Sequence, residues 1–445
     1  MNNYLKKRAL PAAVSMVLLG GSGLAGAAVN VQCPGDTDGD AVIDTPDPNH
    51  PTAKCMHLIA GDSFVNMSNG EPLYTFGFGD QTGTPSADVI TSGILDAEWP
   101  GPTIELDEGE EFYLSLTNVG MAMRPDLFDP HTVHFHGFPN ASAVFDGVPE
   151  PSIAINMGAT LTYYYNIVQP GTYLYHCHVE ATEHMEMGML ANLYVHPRQD
   201  ATGYDVNGDG TIDAAELAAT QGQRKGGGPG NPGGYTYNDG DGTTAWDVEK
   251  AIQVSDMDSR FHDEDLFIQP LSFAKLKGDY PMLNGRGYPD TVNPGQFTPV
   301  DDAAGKVTGT PCTVAHNDPN AAVLCPPLNN GTPTQLLDSN ITLTAGQKLL
   351  LRLSNVSIDR FYTLTANGLP MRIVGTGAHQ MRGIDGKNLY RDVSSINFGG
   401  GEDHDVIIDT TGVAPGTYFL HAAELHQLSN KTQMDGGMMT EIVIN

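Results

Sequence analysis

Two histidine-rich segments constrain the fold of this chain more than any other feature of its sequence. They run from His131 to His136 (His-Thr-Val-His-Phe-His) and from His176 to His178 (His-Cys-His). Side chains along a β-strand alternate between the two faces of the sheet. If both segments are strands, the thiol of Cys177 points to one face and four imidazoles share the other: His134, His136, His176 and His178. The chain therefore needs a sheet that brings these two strands together.

The composition agrees with a sheet-rich protein of more than one domain. The chain has 445 residues, of which 17% are charged and 8% aromatic, and its 52 glycines and 30 prolines supply many turns. This mixture is too apolar for a disordered chain and too rich in turn formers for a helical one, so we predict an all-β protein. The net charge of −31 repels phosphate backbones and anionic lipid headgroups, which argues against nucleic-acid and membrane partners.

The N-terminal residues predict export. Lys6, Lys7 and Arg8 precede an apolar stretch and a run of small residues that ends at Ala28, a pattern typical of a secretory signal peptide over residues 1–28. No later segment approaches the roughly 18 unbroken apolar residues of a membrane helix. We therefore expect a periplasmic or secreted protein with no membrane insertion.

The cysteine count singles out one thiol. Exported proteins usually pair their cysteines, and five cysteines leave one over. Cys33 and Cys55 can close one short loop and Cys312 and Cys325 another, which leaves Cys177. A free thiol in an oxidising compartment has to be buried or bound to a metal, so its neighbours decide its role.

Those neighbours match the ligands of a blue copper centre. An imidazole follows Cys177 seven residues later at His184, and a thioether follows twelve residues later at Met189. Soft sulfur, two imidazole nitrogens and a long axial methionine form a type 1 copper site. The other imidazole is available in the first histidine-rich segment, where alternation can aim His131 away from its neighbours. Electrons could then pass from Cys177 through its own backbone to the imidazoles on either side.

Together the two segments resemble the paired copper signatures of the multicopper oxidases, in particular the short two-domain members related to copper nitrite reductases and small laccases. The resemblance covers most of the chain from about residue 56 and implies two cupredoxin-like β-sandwich domains. It implies type 1 copper ligands at His131, Cys177, His184 and Met189. It also implies half of a type 2/type 3 copper cluster at His134, His136, His176 and His178. Most members place the second type 1 histidine five residues after the cysteine, so we predict a two-residue loop insertion here, with Met187 as a second axial candidate.

Carboxylates at calcium-binding spacing occur in two places. The first is Asp36–Asp47, where Ala41 stands in place of the expected turn glycine. The second is a complete EF-hand loop pattern, which predicts a calcium site at Asp205, Asn207, Asp209, Asp213 and Glu216. The predicted segments are a signal peptide, an N-terminal segment, domain 1, a linker with the EF-hand-like insertion, and domain 2, over residues 1–28, 29–55, 56–197, 198–244 and 245–445.

Domain 2 repeats part of domain 1 without its copper ligands. Residues 416–426 parallel residues 171–178 but have an alanine at the position of the cysteine. The strand that should carry a second His-x-His, Tyr362–Gly368, has no histidine. Domain 2 therefore lacks a blue copper site. The repeat sets one of its histidines, His421, at the position that His176 occupies in domain 1. Three more histidines are loose candidates: His379, His404 and His426.

We predict a copper oxidoreductase that takes electrons at the type 1 copper from a phenol or a low-valent metal ion and passes them to dioxygen. Because domain 2 supplies few imidazoles, we expect fewer than four coppers and a weak oxidase. The resemblance implies a homotrimer, in which domains of neighbouring subunits face each other across the second copper site. Two alternatives stay open. One is a nitrite-reductase-like enzyme with a single type 2 copper, although that class has a carboxylate where this chain has His134, and the other is a non-catalytic blue copper carrier or copper-binding protein.

Overall fold

The computed structural model describes residues 29–445, so the predicted signal peptide over 1–28 lies outside the described residues. A first sandwich consists of two four-stranded sheets, with the strand orders β2-β1-β4-β6 and β3-β8-β7-β5. Its strands are β1 (Ala53–Asn66), β2 (Pro72–Asp80), β3 (Ile104–Asp107), β4 (Glu111–Gly120), β5 (His134–His136), β6 (Thr160–Asn166), β7 (Gly171–His176) and β8 (Leu190–His196). Alternating apolar side chains such as Leu58, Leu114 and Tyr163 meet in the core between the sheets.

A second sandwich follows a short pair of strands, β9 (Gly234–Tyr235) and β10 (Ala245–Trp246). Its sheets have the orders β12-β11-β14-β20-β16-β17, with β18 beside β16, and β13-β22-β21-β15-β19. These strands are β11 (Val248–Met257), β12 (Tyr280–Leu283), β13 (Ile341–Leu343), β14 (Lys348–Asn355), β15 (Tyr362–Ala366), β16 (Met371–Thr376), β17 (His379–Gln380), β18 (Arg391–Val393), β19 (Ile396–Phe398), β20 (Asp403–Asp409), β21 (Gly416–Ala422) and β22 (Met439–Ile444). The predicted all-β class with two sandwiches is confirmed.

Helices are few and short. They are α1 (Val89–Ser92), α2 (Ala181–Met187), α3 (Gln199–Thr202), α4 (Ala214–Thr220), α5 (Ser259–Leu266) and α6 (Ala321–Leu324). Between residues 29 and 445, none has the length and apolar character needed to span a bilayer. The two cysteine pairings are confirmed, since disulfides join Cys33 to Cys55 and Cys312 to Cys325, and Cys177 is free and buried.

A buried charge network joins the two sandwiches. Arg352 of β14 places its Nε 2.5 Å from a carboxylate oxygen of Glu249 on β11, and Nε2 of His196 on β8 lies 2.8 Å from the other oxygen. On the other side, the Thr172 hydroxyl of β7 donates to Asp405 of β20 over 2.6 Å. The network therefore fixes β7 and β8, and with them the end of β7 at His176, against the second sandwich.

Candidate metal centre

The pairing of β5 with β7 brings the two histidine-rich segments together. The strands are antiparallel, and the register sets His134 opposite His176 and His136 opposite Leu174. Cys177 follows β7 directly, and its side chain belongs to the core of the first sandwich. The imidazoles next to it line a cleft on the other side. This segment thus presents its thiol and its imidazoles to different environments.

Inside the core, the thiol lies within reach of two imidazoles. The Cys177 Sγ is 3.3 Å from Nδ1 of His184 and 3.8 Å from Nδ1 of His131. One donor atom from each residue lies within 4.8 Å of the others, and the three residues are at most 1% exposed. The backbone N–H of Thr132 donates to the sulfur over 3.5 Å. A sulfur with two imidazole nitrogens, closed off from water, is the donor set that suits a type 1 copper.

Burial keeps this donor set uncharged in the metal-free protein. It raises the pKa of Cys177 to about 11 and lowers the pKa of His184 to about 4. The pKa of His131 falls well below its usual value for the same reason, with a further contribution from His184. The imidazole lone pairs are therefore free at neutral pH, and a metal that binds here has to displace the thiol proton.

His184 is carried by a helix, in the segment where we predict a two-residue insertion. Residues 181–187 form α2, which follows Glu180 in a left-handed conformation (φ 45°) and ends before Gly188. The helical turns take up the longer spacing between Cys177 and His184. Met187 and Met189 are both fully buried in the same core, and the Cys177 N–H donates to the Met189 carbonyl over 3.0 Å.

Four imidazoles gather on the cleft side. The ring of His134 lies 5.3 Å from that of His176 and 5.2 Å from that of His178, between centroids, and His136 lies 6.0 Å from His176. Within residues 29–445, no three of their nitrogens come within 4.8 Å of one another. The rings are neighbours, but their spread suits more than one bound ion, or one ion after side-chain rotation.

Hydrogen bonds to the backbone fix the tautomers of two of these rings. Nδ1 of His134 lies 2.6 Å from the Asp146 carbonyl, and Nδ1 of His176 lies 2.8 Å from the Cys177 carbonyl. Because a carbonyl can only accept, each Nδ1 carries the proton and each Nε2 keeps its lone pair. Burial also lowers the pKa of His176 to about 3, with neighbouring imidazoles adding to the effect. The His176 ring therefore stays neutral at pH 7, and the Nε2 lone pair of each ring is placed to bind a metal.

Two loops of the second sandwich close the cleft, which has a volume of about 670 Å³. They span residues 357–361 and 399–402 and bring Asp359, Arg360 and Glu402 to the lining, but no histidine. Gly401 has a φ of 85°, and a Cβ there would lie 3.0 Å from the His136 ring. No pattern in the sequence indicates these residues, because they reach the cleft from more than 170 positions away along the chain.

The candidate histidines of the second sandwich lie elsewhere. His421 sits on β21, where its Nδ1 donates to the Ala422 carbonyl over 2.8 Å, as His176 does to Cys177. The internal repeat therefore extends to the orientation of this ring. His421 does not line the cleft, and neither do the three looser candidates, His379, His404 and His426.

The two acidic loops share a hydrogen-bond pattern. Asp36 accepts the N–H groups of residues 39 and 41, and Asp205 accepts those of residues 208 and 210, at the same offsets. Ala41 takes a φ of 67° and Gly210 one of 87°, so the alanine adopts the conformation expected of the turn glycine. In the described part of the chain, Asp36, Asp38 and Asp40 bring carboxylate oxygens within 4.8 Å of one another, whereas the acidic residues of 205–216 do not.

Comparison with known proteins assigns a family to the segments that carry the eight candidate donors, Cys177 among them. Two models, both described as multicopper oxidase, match residues 81–200 and 291–443. The chain belongs to the multicopper oxidase family. It is 33% identical to Laccase-1 of Emericella nidulans over 142 residues, which are 31% of the chain and 21% of that laccase. The chain spans between 13% and 29% of the lengths of the curated relatives it matches.

Solved structures agree with this assignment at the level of the fold. A blue copper oxidase from Nitrosomonas europaea aligns with a TM-score of 0.56 and 20% identity, over 88% of this chain and 85% of that one. A copper nitrite reductase from the same organism aligns with a TM-score of 0.52 and 14% identity, over 88% and 93%. This multicopper oxidase chain thus shares its double sandwich with proteins of both kinds.

Proposed function

We propose that this multicopper oxidase is an exported enzyme that oxidises a phenol or a low-valent metal ion and reduces dioxygen. Copper, when bound, would store single electrons and hand them on. The type 1 copper would be held by His131, Cys177, His184 and Met189. The second copper site would draw on His134, His136, His176 and His178.

The position of Cys177 is the observation that carries the proposal. Its thiol faces two imidazoles in a dry core, while the residues on either side of it face the cleft. The His176 ring also donates to the carbonyl of Cys177 itself, so one residue touches both environments. The protein itself fixes the tautomers of the rings, places the Thr132 N–H against the sulfur and excludes water from the core around Cys177.

The second copper site would be completed by another copy of the chain. Within one chain, the cleft takes its imidazoles from the first sandwich alone, among the described residues. His421 is oriented like His176 but lies outside the cleft, so we propose a homotrimer in which a neighbour brings His421 to it. Five imidazoles would hold fewer coppers than a fully liganded three-copper cluster, so we expect fewer than four coppers per chain and slow turnover.

A nitrite-reductase-like enzyme is the second candidate. The guanidinium of Arg360 lines the cleft beside the imidazoles, and a cation in that position favours a small anion such as nitrite. Nitrite consumption without oxygen uptake, with the same artificial reductant, would favour this candidate over an oxidase.

We also propose that calcium stabilises the chain. The EF-hand-like ligands are Asp205, Asn207, Asp209, Asp213 and Glu216, and Glu216 already accepts the N–H groups of residues 206, 207 and 213. Carboxylate and amide oxygens at EF-hand spacing are the ligands that a hard cation such as calcium prefers.

Copper reconstitution tests the proposed function. We expect an intense blue absorption band, fewer than four coppers by metal analysis, a type 1 paramagnetic resonance signal and oxygen uptake with a phenol or a low-valent metal ion. Cys177→Ser should lose the blue band, and a variant that kept it would refute the type 1 assignment. Met189→Leu and Met187→Leu form a matched pair of buried thioether deletions, of which the first alone should alter the type 1 spectrum.

A further inference from the structure

One short helix from the second sandwich reaches into the core of the first. Helix α5 lies between strands β11 and β12 in the chain, yet it packs against β2 of the first sandwich. Its Phe261 is fully buried and belongs to the core that also contains Cys177, Met187 and Met189. The core around the candidate type 1 donors is therefore built from both parts of the chain.

Helix α2 carries a candidate donor on one face and an anchor on another. His184 and Glu186 are two positions apart, so their side chains point about 200° apart around the helix axis. His184 lies against the thiol of Cys177, whereas Glu186 is 6% exposed and its Oε1 accepts the N–H of Asp258 over 2.7 Å. Asp258 itself caps α5, where its side chain accepts two backbone N–H groups. A single buried carboxylate thus ties α2 to the start of α5.

Helix α5 also holds the strand that covers the His184 ring. Nδ1 of His262, which is fully buried, donates to the Tyr74 carbonyl on β2 over 2.6 Å. Two residues further along β2, the Phe76 ring meets the His184 ring edge to face, with 5.8 Å between centroids. Nε2 of His262 lies 4.0 Å from Oε1 of Glu186. Both elements that enclose the His184 ring, α2 and β2, are therefore bonded to α5.

A third contact of α5 reaches the loop that leads to the other candidate imidazole. Arg124, seven residues before His131, places its Nη1 2.7 Å from the carboxylate of Asp265. These two side chains are 7% and 2% exposed. Buried polar groups lose their partners only at a high cost, so we expect α5 and the segments bonded to it to move as one unit.

We propose that α5 is a clamp that fixes His184 relative to Cys177, and that Glu186 is the residue through which it acts on α2. The inference rests on the proposed function, because it takes His184 and Cys177 as type 1 copper ligands. Groups outside the ligand set orient the ligands and keep water away, and both effects tune a metal site. Glu186 acts through its helix and is a positioning residue. The second sandwich, which has no blue copper site of its own, would thereby control the one in the first.

Reaction of Cys177 with a thiol reagent tests the clamp without copper. The other four cysteines are joined in disulfides, so the rate reports on this thiol alone. Glu186→Leu removes the acceptor and should react about 10-fold faster than wild type, because opening of α2 no longer has to break that buried hydrogen bond. Glu186→Gln keeps an acceptor oxygen and should react at the wild-type rate.

Ser354→Ala is the matched control. The Ser354 hydroxyl donates to Asn192 over 2.8 Å, which is another buried hydrogen bond between the sandwiches, but it joins β14 to β8 and involves neither α2 nor α5. Its loss should leave the rate of thiol modification unchanged. Equal acceleration in Ser354→Ala and Glu186→Leu, or no acceleration in Glu186→Leu, would overturn the clamp.

The copper-loaded protein gives a spectroscopic test. In Glu186→Leu, the type 1 paramagnetic resonance signal and the blue band should shift, and the affinity for copper should fall about 10-fold, the scale seen when a group outside the ligand set is lost. Glu186→Gln and Ser354→Ala should match wild type. An unshifted type 1 signal in Glu186→Leu would overturn the clamp. No blue band in wild type would refute the proposed function instead.

Hydrogen exchange in the copper-free wild type adds a test that needs no substitution. Segments that open together exchange their amide protons with the same protection. The amides of α2 and α5 should therefore show equal protection under native conditions. An α2 that stayed protected while α5 exchanged freely would show that α5 does not hold it, and would overturn the clamp.

Discussion

Replacing Arg352 with methionine should weaken the contact between the sandwiches more than any surface change. Arg352 is 1% exposed and bonds Glu249, while its Nη1 lies 3.1 Å from the Thr172 hydroxyl and 3.4 Å from Asp405. Burial alone would raise the pKa of Glu249, but the Arg352 charge and the His196 hydrogen bond outweigh it and lower the pKa to about 2.

The size of the effect follows from that shift. A carboxyl whose pKa falls from 4.5 to about 2 on folding contributes about 3 kcal/mol at neutral pH. Removing one partner of a buried ion pair typically costs about 3 to 5 kcal/mol, because the other charge stays buried without compensation. At about 2 to 4 °C per kcal/mol, the melting midpoint of Arg352→Met should fall by about 6 to 20 °C.

Circular dichroism melts at pH 7 measure this fall, with Arg372→Met as the matched control. Arg372 also makes an arginine–carboxylate pair, 2.6 Å from Asp392, but both side chains are more than half exposed. An exposed pair contributes about 0 to 1 kcal/mol, so the melting temperature of the control variant should change little. Equal shifts in the two variants, or none in Arg352→Met, would refute the view that buried charge joins the sandwiches.

Three further predictions concern acid, calcium and assembly. The stability gap between wild type and Arg352→Met should narrow in denaturant titrations as the pH falls from 4.5 toward 2, because protonation of Glu249 removes the stabilisation that its depressed pKa provides; a constant gap would contradict this. Calcium should raise the melting temperature of wild type but not of Glu216→Gln, and equal melting in calcium and in chelator would exclude a structural ion. Analytical ultracentrifugation should find a trimer whose second-site copper content falls in His421→Ala; a fully loaded, active monomer would refute the shared site.

The fold class and the meeting of the histidine-rich strands could be read from the sequence, because strand periodicity is a local property. A spacing of two residues puts His134 and His136 on the same face of the sheet, and the register of β5 against β7 then sets them beside His176. The disulfides were predictable because each closes a short loop. The helix that carries His184 was not predicted, since a seven-residue spacing between Cys177 and His184 is compatible with either a longer loop or two helical turns.

Only the tertiary structure decided what surrounds the metal-binding residues. Asp359, Arg360 and Glu402 reach the cleft from loops far along the chain. No local pattern encodes such contacts, because they depend on how one sandwich docks on the other through buried groups such as Arg352. The sequence by itself indicated the candidate donors, through their spacing within two segments. Docking of the sandwiches determined the charge around the cleft and its connection to solvent.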